Sequence, residues 1–387
     1  AGSGIVVNGS LSSVGSLLLE GGSSQSLLSP VSSVTGSVSL EVSGGSPIRV
    51  VSPGGVSAGS GISFGGPVEV SGSGVFTLDS DSDLDGVGTL LLSASSNLTV
   101  SGRVSGLSVV AADVDILCSV KAGWSAVTLQ SSNATGAMRL GSGGPVSGGF
   151  SVSDAELDRI ETRGVLTFGG SLTGHVEVDG FSYTGGASEV RLFALKHVSS
   201  RVSFLGENSF VQGLSVVSRG GVSVSNLTTG GALSVDSDSD CDGSGSLSVV
   251  AGSVMSSGGF PVRVKAADVA LEGRVSSGSS STTFVLCDGS AVWLGGAAGS
   301  SALSVFSLDR FELGRVLSGG LVVESPSGRI TVRSVSAAET SSVSGPLLLN
   351  ASSVLFAEAT SFSPAVFVHA GSGIVVNGSL SSVGSLL

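Results

Sequence analysis

Two acidic turns carry the most suggestive chemistry in the sequence. Asp81-Ser82-Asp83-Leu84-Asp85-Gly86 and Asp238-Ser239-Asp240-Cys241-Asp242-Gly243 both fit Asp-x-Asp-x-Asp-Gly, and Asp79 and Asp236 add one carboxylate each just upstream. Alternating carboxylates on a tight turn can converge on one hard cation, calcium above all, and the glycine permits the sharp bend. The pattern departs from an EF-hand loop, because the twelfth position counted from Asp81 is Leu92 rather than Glu. A calcium site here needs further oxygens from elsewhere. The plain alternative is a pair of solvated acidic turns.

Other reactive side chains form no constellation. Glu156-Leu157-Asp158-Arg159 and Glu312-Leu313-Gly314-Arg315 place opposite charges close together. They read as short helical turns or corners with a surface ion pair, the arginine meeting Glu or a backbone carbonyl, rather than as a catalytic acid and base. His175, His197 and His369 are isolated and lack metal-ligand spacing. The cysteines Cys118, Cys241 and Cys287 are too few and too far apart for a disulfide framework, so buried single thiols are expected. Against a background of 61 glycines, no Gly-rich phosphate loop stands out.

Six of the seven asparagines open an Asn-x-Ser/Thr sequon: Asn8, Asn97, Asn133, Asn226, Asn350 and Asn377. That exceeds what abundant Ser and Thr give by chance, and suggests a glycosylated, secreted protein. The net charge is -12 and the few basic residues are scattered, so the footprint of a nucleic-acid binder is missing. No apolar run approaches the roughly 20 residues needed to cross a bilayer. The expected location is extracellular, secreted or at the cell surface.

The elements that must position these residues are repeats. Ala370–Leu387 reproduces Ala1–Leu18 without a change, at an offset of 369 residues. Residues 1–369 read as one period of a longer tandem array and 370–387 as the start of the next, with the whole of 1–387 one continuous solenoid. Inside the period lies a fainter repeat of roughly 156 residues, spanning about 76–232 and 233–387. Three landmarks recur in order: Asp79–Gly86 with Asp236–Gly243, Ala111–Ile116 with Ala266–Leu271, and Phe150–Ile160 with Phe306–Val316.

Below that runs a period of two. Leu90, Leu92 and Ala94 alternate, then Leu98, Val100 and Val104, Leu107, Val109 and Ala111, and Val114, Ile116 and Val120; Val262, Val264 and Ala266 precede Val269, Leu271 and Val275. Such alternation means strands with one buried face. Helical periodicity is nearly absent, and Glu, Lys and Gln are scarce. The hydrophobic fraction of 41% supplies a core, but spread evenly along the chain. The fold predicted is all-β, a parallel β-helix (β-solenoid) with coils of roughly 16–21 residues and a narrow core of small residues. At ~4.8 Å per layer, roughly 18 to 22 coils give a rod of about 85 to 105 Å per period. A string of immunoglobulin-like sandwiches is the competing architecture, but it calls for aromatic anchors and units near 100 residues.

Phe150–Gly170, FSVSDAELDRIETRGVLTFGG, resembles segments of the filamentous haemagglutinin-like family of giant secreted proteins. Gly88–Gly106 and Ala266–Gly278 are similar to that family's coil repeats. The resemblance implies a right-handed β-helix that is exported and acts as an adhesin or surface fibre.

Three functions compete. The first is a structural repeat of a long extracellular filament, whose partners are further copies of itself. The second is an adhesin stalk that presents a surface to cells or glycans, which exposed aromatics would favour; Trp124, Trp293 and Tyr183 are few. The third is a β-helical polysaccharide-degrading enzyme, which needs clustered acidic and basic residues that this sequence scatters. No enzymatic activity is expected.

Overall fold

The computed structural model describes residues 4–43, 45–133, 136–141, 149–286, 291–297 and 306–386. The chain divides into two compact units, Ala1–Lys196 and His197–Leu387. Each unit holds one whole copy of the three landmarks.

The period-two pattern becomes short strands that pair in parallel with the strands of neighbouring coils. In the first unit, Val38, Ile62, Leu90 and Val114 sit in register one above the next, and so do Leu40, Phe64, Leu92 and Ile116. All eight are buried, while the residues between them face outward. In the second unit Val216, Val235, Val264, Phe284, Val323 and Leu349 form the same kind of internal stack. Each buried Val, Leu or Phe contributes about 1.5 to 3 kcal/mol relative to exposure, and each touches mainly the coil above and the coil below. These stacked parallel ladders make the fold a parallel β-helix.

The core is mostly Val and Leu, and phenylalanine supplies its largest side chains. Eleven of the fifteen phenylalanines are among its largest fully buried side chains, Phe64, Phe168, Phe204 and Phe356 among them. Buried serines and threonines finish the corners. Ser96 Oγ donates to the carbonyl of Phe64 at 2.5 Å, Ser125 Oγ to that of Val104 at 2.6 Å, and Thr162 Oγ1 to that of Ser125 at 2.7 Å. A hydroxyl that reaches a carbonyl of the adjoining coil lets a polar corner be buried without an orphaned acceptor. This accounts for the serines buried at the corners, while most of the described serines are half-buried or exposed.

Coils come in three lengths, of which the plain ones overlap the 16–21 residues expected and the other two exceed it. Plain coils return after about 19 to 26 residues: Ile5 pairs with Gln25, Val38 with Ile62 and Leu321 with Leu347. Coils that carry an acidic turn are longer, as Leu78 pairs with Val109 and Val235 with Val264. The longest contain a helical turn, α1 (Asp154–Leu157) or α2 (Arg310–Leu313). There Val120 pairs with Ile160 and Ser281 with Gly320. The two kinds of insertion are two of the landmarks of the ~156-residue repeat. Ala94, which continues the alternation of Leu90 and Leu92, is exposed in a turn outside the strand.

Candidate functional site

The acidic turns bulge from their coils with the same backbone. Leu84 and Gly86 have φ of 59° and 85°, and Cys241 and Gly243 have 56° and 82°. A glycine readily takes that left-handed conformation, whereas leucine and cysteine are held in it by what surrounds them. The first aspartate of each triplet is the anchor. Asp81 is fully buried, and its carboxylate accepts from the amides of Asp85 (3.2 Å) and Gly86 (3.0 Å) and from Ser132 Oγ (2.5 Å). Asp238 is equally buried and accepts from the amide of Gly243 at 3.2 Å. Burial pushes both carboxyls above their usual range, and the acidic neighbours add to the rise.

The remaining carboxylates are exposed and local. Asp85 Oδ1 accepts from the amide of Val87, and Asp242 Oδ1 accepts from the amide and hydroxyl of Ser244. Those two bonds from Ser244 hold the Asp242 carboxyl below its ordinary value. Oxygens of Asp81, Asp83 and Asp85 lie within 4.8 Å of one another, as do those of Asp238, Asp240 and Asp242. The triplets therefore converge as the spacing predicts. Asp79 and Asp236 stand outside both clusters. Asp236 instead pairs with Lys265 Nζ at 2.9 Å, and Asp79 sits opposite Val110 at the corresponding place in its ladder. The second turn also carries Arg219 Nε 3.8 Å from Asp240, a cation the first turn lacks among the described residues. Three converging oxygens of one hard-anion type suit calcium chemically, with the first turn better placed than the second.

The cysteine expectation is half overturned. Cys118 is a buried free thiol, and burial raises its pKa. Cys241 is disulfide-bonded, inside the second acidic turn. The spacing of the cysteines along the chain did not reveal this bond. Cys287 lies outside the described residues.

At the helical turns the arginine meets a backbone carbonyl, one of the two partners expected for it, within a backbone clamp. Ser153 caps α1 and Asp309 caps α2, each in a reciprocal capping box with Glu156 or Glu312. The same glutamates reach back one coil. Glu156 Oε1 accepts from the amide of Ile116 (3.1 Å) and Arg159 Nη1 donates to the carbonyl of Ile116 (2.9 Å). Glu312 accepts from the amide of Leu271 (3.0 Å), and Arg315 donates to the Leu271 carbonyl. Each Glu-x-x-Arg thus takes the place of a strand along an open ladder edge. Asp113 and Asp268 begin those two strands and accept from the amides of Ser151 and Ser307. Burial raises the pKa of both. The aspartates of Ala-Ala-Asp-Val had not been singled out as bonding groups, although their recurrence in both copies was the available signal.

The sequons lie in varied surroundings. Asn8, Asn97 and Asn377 are exposed, and Asn133 and Asn350 are half-buried. Asn226 uses both ends of its amide, donating to Glu207 Oε1 and accepting from the amide of Val254. A glycan on its nitrogen would disturb the first bond. His197 and His369 are exposed and His175 is half-buried on a strand, and none joins the acidic clusters. Among the described residues no helix is long and apolar enough to cross a membrane.

One feature of the first unit was not foreseen. A cleft of about 580 Å³ is lined by Lys121, Glu161, Arg163, Tyr183, Thr184 and Gly185 among others. At its rim Trp124 is 78% exposed, with the Arg163 guanidinium 5.5 Å from the ring centre.

No protein-family model, curated protein or solved structure matches this chain. Of what the resemblance to filamentous haemagglutinin-like proteins implies, the structure shows the parallel β-helix alone.

Proposed function

We propose that this chain is a structural repeat of a long extracellular filament or cell-surface fibre, giving length and stiffness and associating end to end. The observation that carries the reading is the parallel ladder continued into an 18-residue segment identical to the chain's own first coil. A solenoid of this kind gains stability by stacking like on like, with no closed core to limit its length. The sequons and acidic charge suit a secreted, glycosylated fibre, and the family resemblance supports export. The adhesin-stalk reading has one observation in its favour, the cleft beside Trp124, because an exposed indole and a nearby guanidinium suit stacking and hydrogen bonding to a sugar. Binding of the protein, but not of Trp124→Ala, to immobilised glycans would favour it.

The filament is tested by electron cryo-microscopy of assembled protein. Coils of the observed lengths place about 15 layers in 369 residues, so at ~4.8 Å per layer the axial period expected is about 70 Å. That is shorter than the sequence alone suggests, because the inserted turns lengthen coils without adding layers. Beads without 4.8 Å layering would overturn the reading.

A further inference from the structure

The cleft beside Trp124 carries residues that the solenoid itself does not need. Register shows this by comparing the two units. In the first, Val120 pairs with Ile160 and Lys121 with Glu161; in the second, Val275 pairs with Val316 and Ser276 with Leu317. Gly123 at φ 59° and Gly278 at φ 57° follow these strands, and the next residue is Trp124 in one unit and Ser279 in the other. One backbone therefore accepts Lys, Trp and Glu, or Ser, Ser and Leu, at the same three places. The cleft opens where consecutive coils part, with Ile160–Arg163 along one side and Tyr183–Gly186 along the other. In the second unit a bridge between Ser318 and Val343 closes the corresponding place. Tyr183 is buried, and its hydroxyl accepts from the amide of Ala187 at 3.2 Å. A Cβ at Gly185 would lie 2.5 Å from that hydroxyl, so the wall is bare backbone there. Lys121, Asp158, Glu161 and Arg163 are exposed around the space. Among the described residues none of the four joins an ion pair, although Lys121 and Glu161 stand opposite each other in the ladder.

We infer that this cleft binds a neutral saccharide, with a pyranose ring stacked on Trp124 and its hydroxyls bonded to the four charged side chains. The balance of charge selects the ligand class. Two cations and two carboxylates ring the space, so an anionic ligand meets Asp158 and Glu161, and a cationic one meets Lys121 and Arg163. A sugar hydroxyl carries no charge and both donates and accepts, so it can use all four, and bonds to charged partners are the stronger kind. The indole, 78% exposed, offers an apolar face for the C–H side of the ring, and the Arg163 guanidinium over it restrains its orientation. The volume of about 580 Å³ falls in the range of small-molecule sites. This ligand class rests on the adhesin-stalk reading, gives it a site, and is independent of the filament reading.

The test is calorimetric titration of the full chain with neutral oligosaccharides of glucose, galactose and mannose at millimolar concentration, and with a sulfated oligosaccharide for comparison. At least one neutral oligosaccharide should bind, and more tightly than the sulfated one. The variant that combines Lys121→Ser, Trp124→Ser and Glu161→Leu carries what the second unit holds at these places, so its coil is one the solenoid accepts. It should bind about tenfold more weakly or not at all. A second measurement needs no variant: bound sugar should shift the emission of Trp124, read against Trp293, the other of the two tryptophans. Binding that persists in the variant, or that leaves the indole emission unchanged, would overturn this site and leave the adhesin-stalk reading standing. Tighter binding of the sulfated oligosaccharide would overturn the neutral class alone. No binding of any oligosaccharide would overturn both the site and the adhesin-stalk reading, and would leave the filament untouched.

Discussion

The Arg159 guanidinium donates to the carbonyl oxygen of Ile116 at 2.9 Å, across 43 residues of sequence. On its other edge Ile116 is paired in a regular parallel ladder with Leu92. The long coil around α1 brings no strand to this place, and Glu156 and Arg159 supply the acceptor and donor that a strand would have supplied. Arg159→Ala leaves a half-buried carbonyl without its partner and should cost about 1 to 3 kcal/mol. Glu156→Ala should cost at least as much, because it also removes the capping box. Arg159→Lys keeps a charge but not the planar reach, and should recover part of the loss. The check is urea unfolding followed by amide exchange at Ile116, which reads the clamp itself. Exchange at Ile116 unchanged by Arg159→Ala would refute it.

The matching glutamate in the second unit makes stability depend on pH near neutrality. Burial, reinforced by the charges of Asp309 and Asp268, raises Glu312 to about 7 from an ordinary value of 4.5. The folded state therefore holds a proton that the unfolded chain releases. The stabilisation is fully present below about pH 4.5 and is lost as pH rises through about 7, and over that window it amounts to roughly 3 kcal/mol. Asp113, Asp238 and Asp268 are raised as well and act in the same direction at lower pH. The urea midpoint of the second unit should fall between pH 5 and pH 8, and Glu312→Gln should flatten that slope. A midpoint that rises over the same range would contradict the burial argument.

The alternation of Val262, Val264, Val269 and Leu271 made the strands and their buried faces legible, because a period of two is a direct imprint of the pleat. The acidic triplets were legible for the same reason, since they are local. Coil length was harder. Gly and Ser dominate the segments between strands, so the inserted turns at 79–88 and at α1 leave no periodic mark. For the Glu-x-x-Arg turns the backbone carbonyl was one of two partners the sequence allowed the arginine, but which carbonyl was not legible, because Ile116 and Leu271 lie about 40 residues away. The phenylalanines were countable, but each sits singly in its strand, and which aliphatic residue it stacks on, as Phe64 does on Leu40 and Leu92, depends on register.

Two glycines beside the acidic turns are fixed by close approach. A Cβ at Gly88 would lie 1.7 Å from the carbonyl oxygen of Ser80, and one at Gly245 would lie 1.9 Å from that of Ser237. These contacts involve backbone on both sides, so neither can yield by rotating a side chain. Gly88→Ala and Gly245→Ala should each cost about 3 kcal/mol or more, at the upper end of overpacking penalties. Gly9→Ala has open space around the new methyl and a negative φ, and should be neutral or stabilising by about 0.4 to 1 kcal/mol. Thermal midpoints of the three variants make the comparison. Similar losses at all three would mean that the coils tolerate no added volume anywhere.

Within the first acidic turn, Asp81 and Asp83 should respond oppositely to loss of charge. Asp81 is the buried acceptor of two amides and a hydroxyl, so Asp81→Ala should cost about 1 to 3 kcal/mol. Asp83 is exposed and adds a like charge to a crowded turn. In EDTA, Asp83→Asn should therefore stabilise the first unit by a few tenths of a kcal/mol, and added salt should shrink the gain by screening. Repeating the melt in millimolar calcium decides what the turn is for. If calcium raises the midpoint of the unmodified chain and turns Asp83→Asn into a destabilising change, the converging oxygens are ligands. If the gain from Asp83→Asn is the same with calcium and with EDTA, the turn is a carboxylate-anchored corner, and its charge serves only the solubility of the surface.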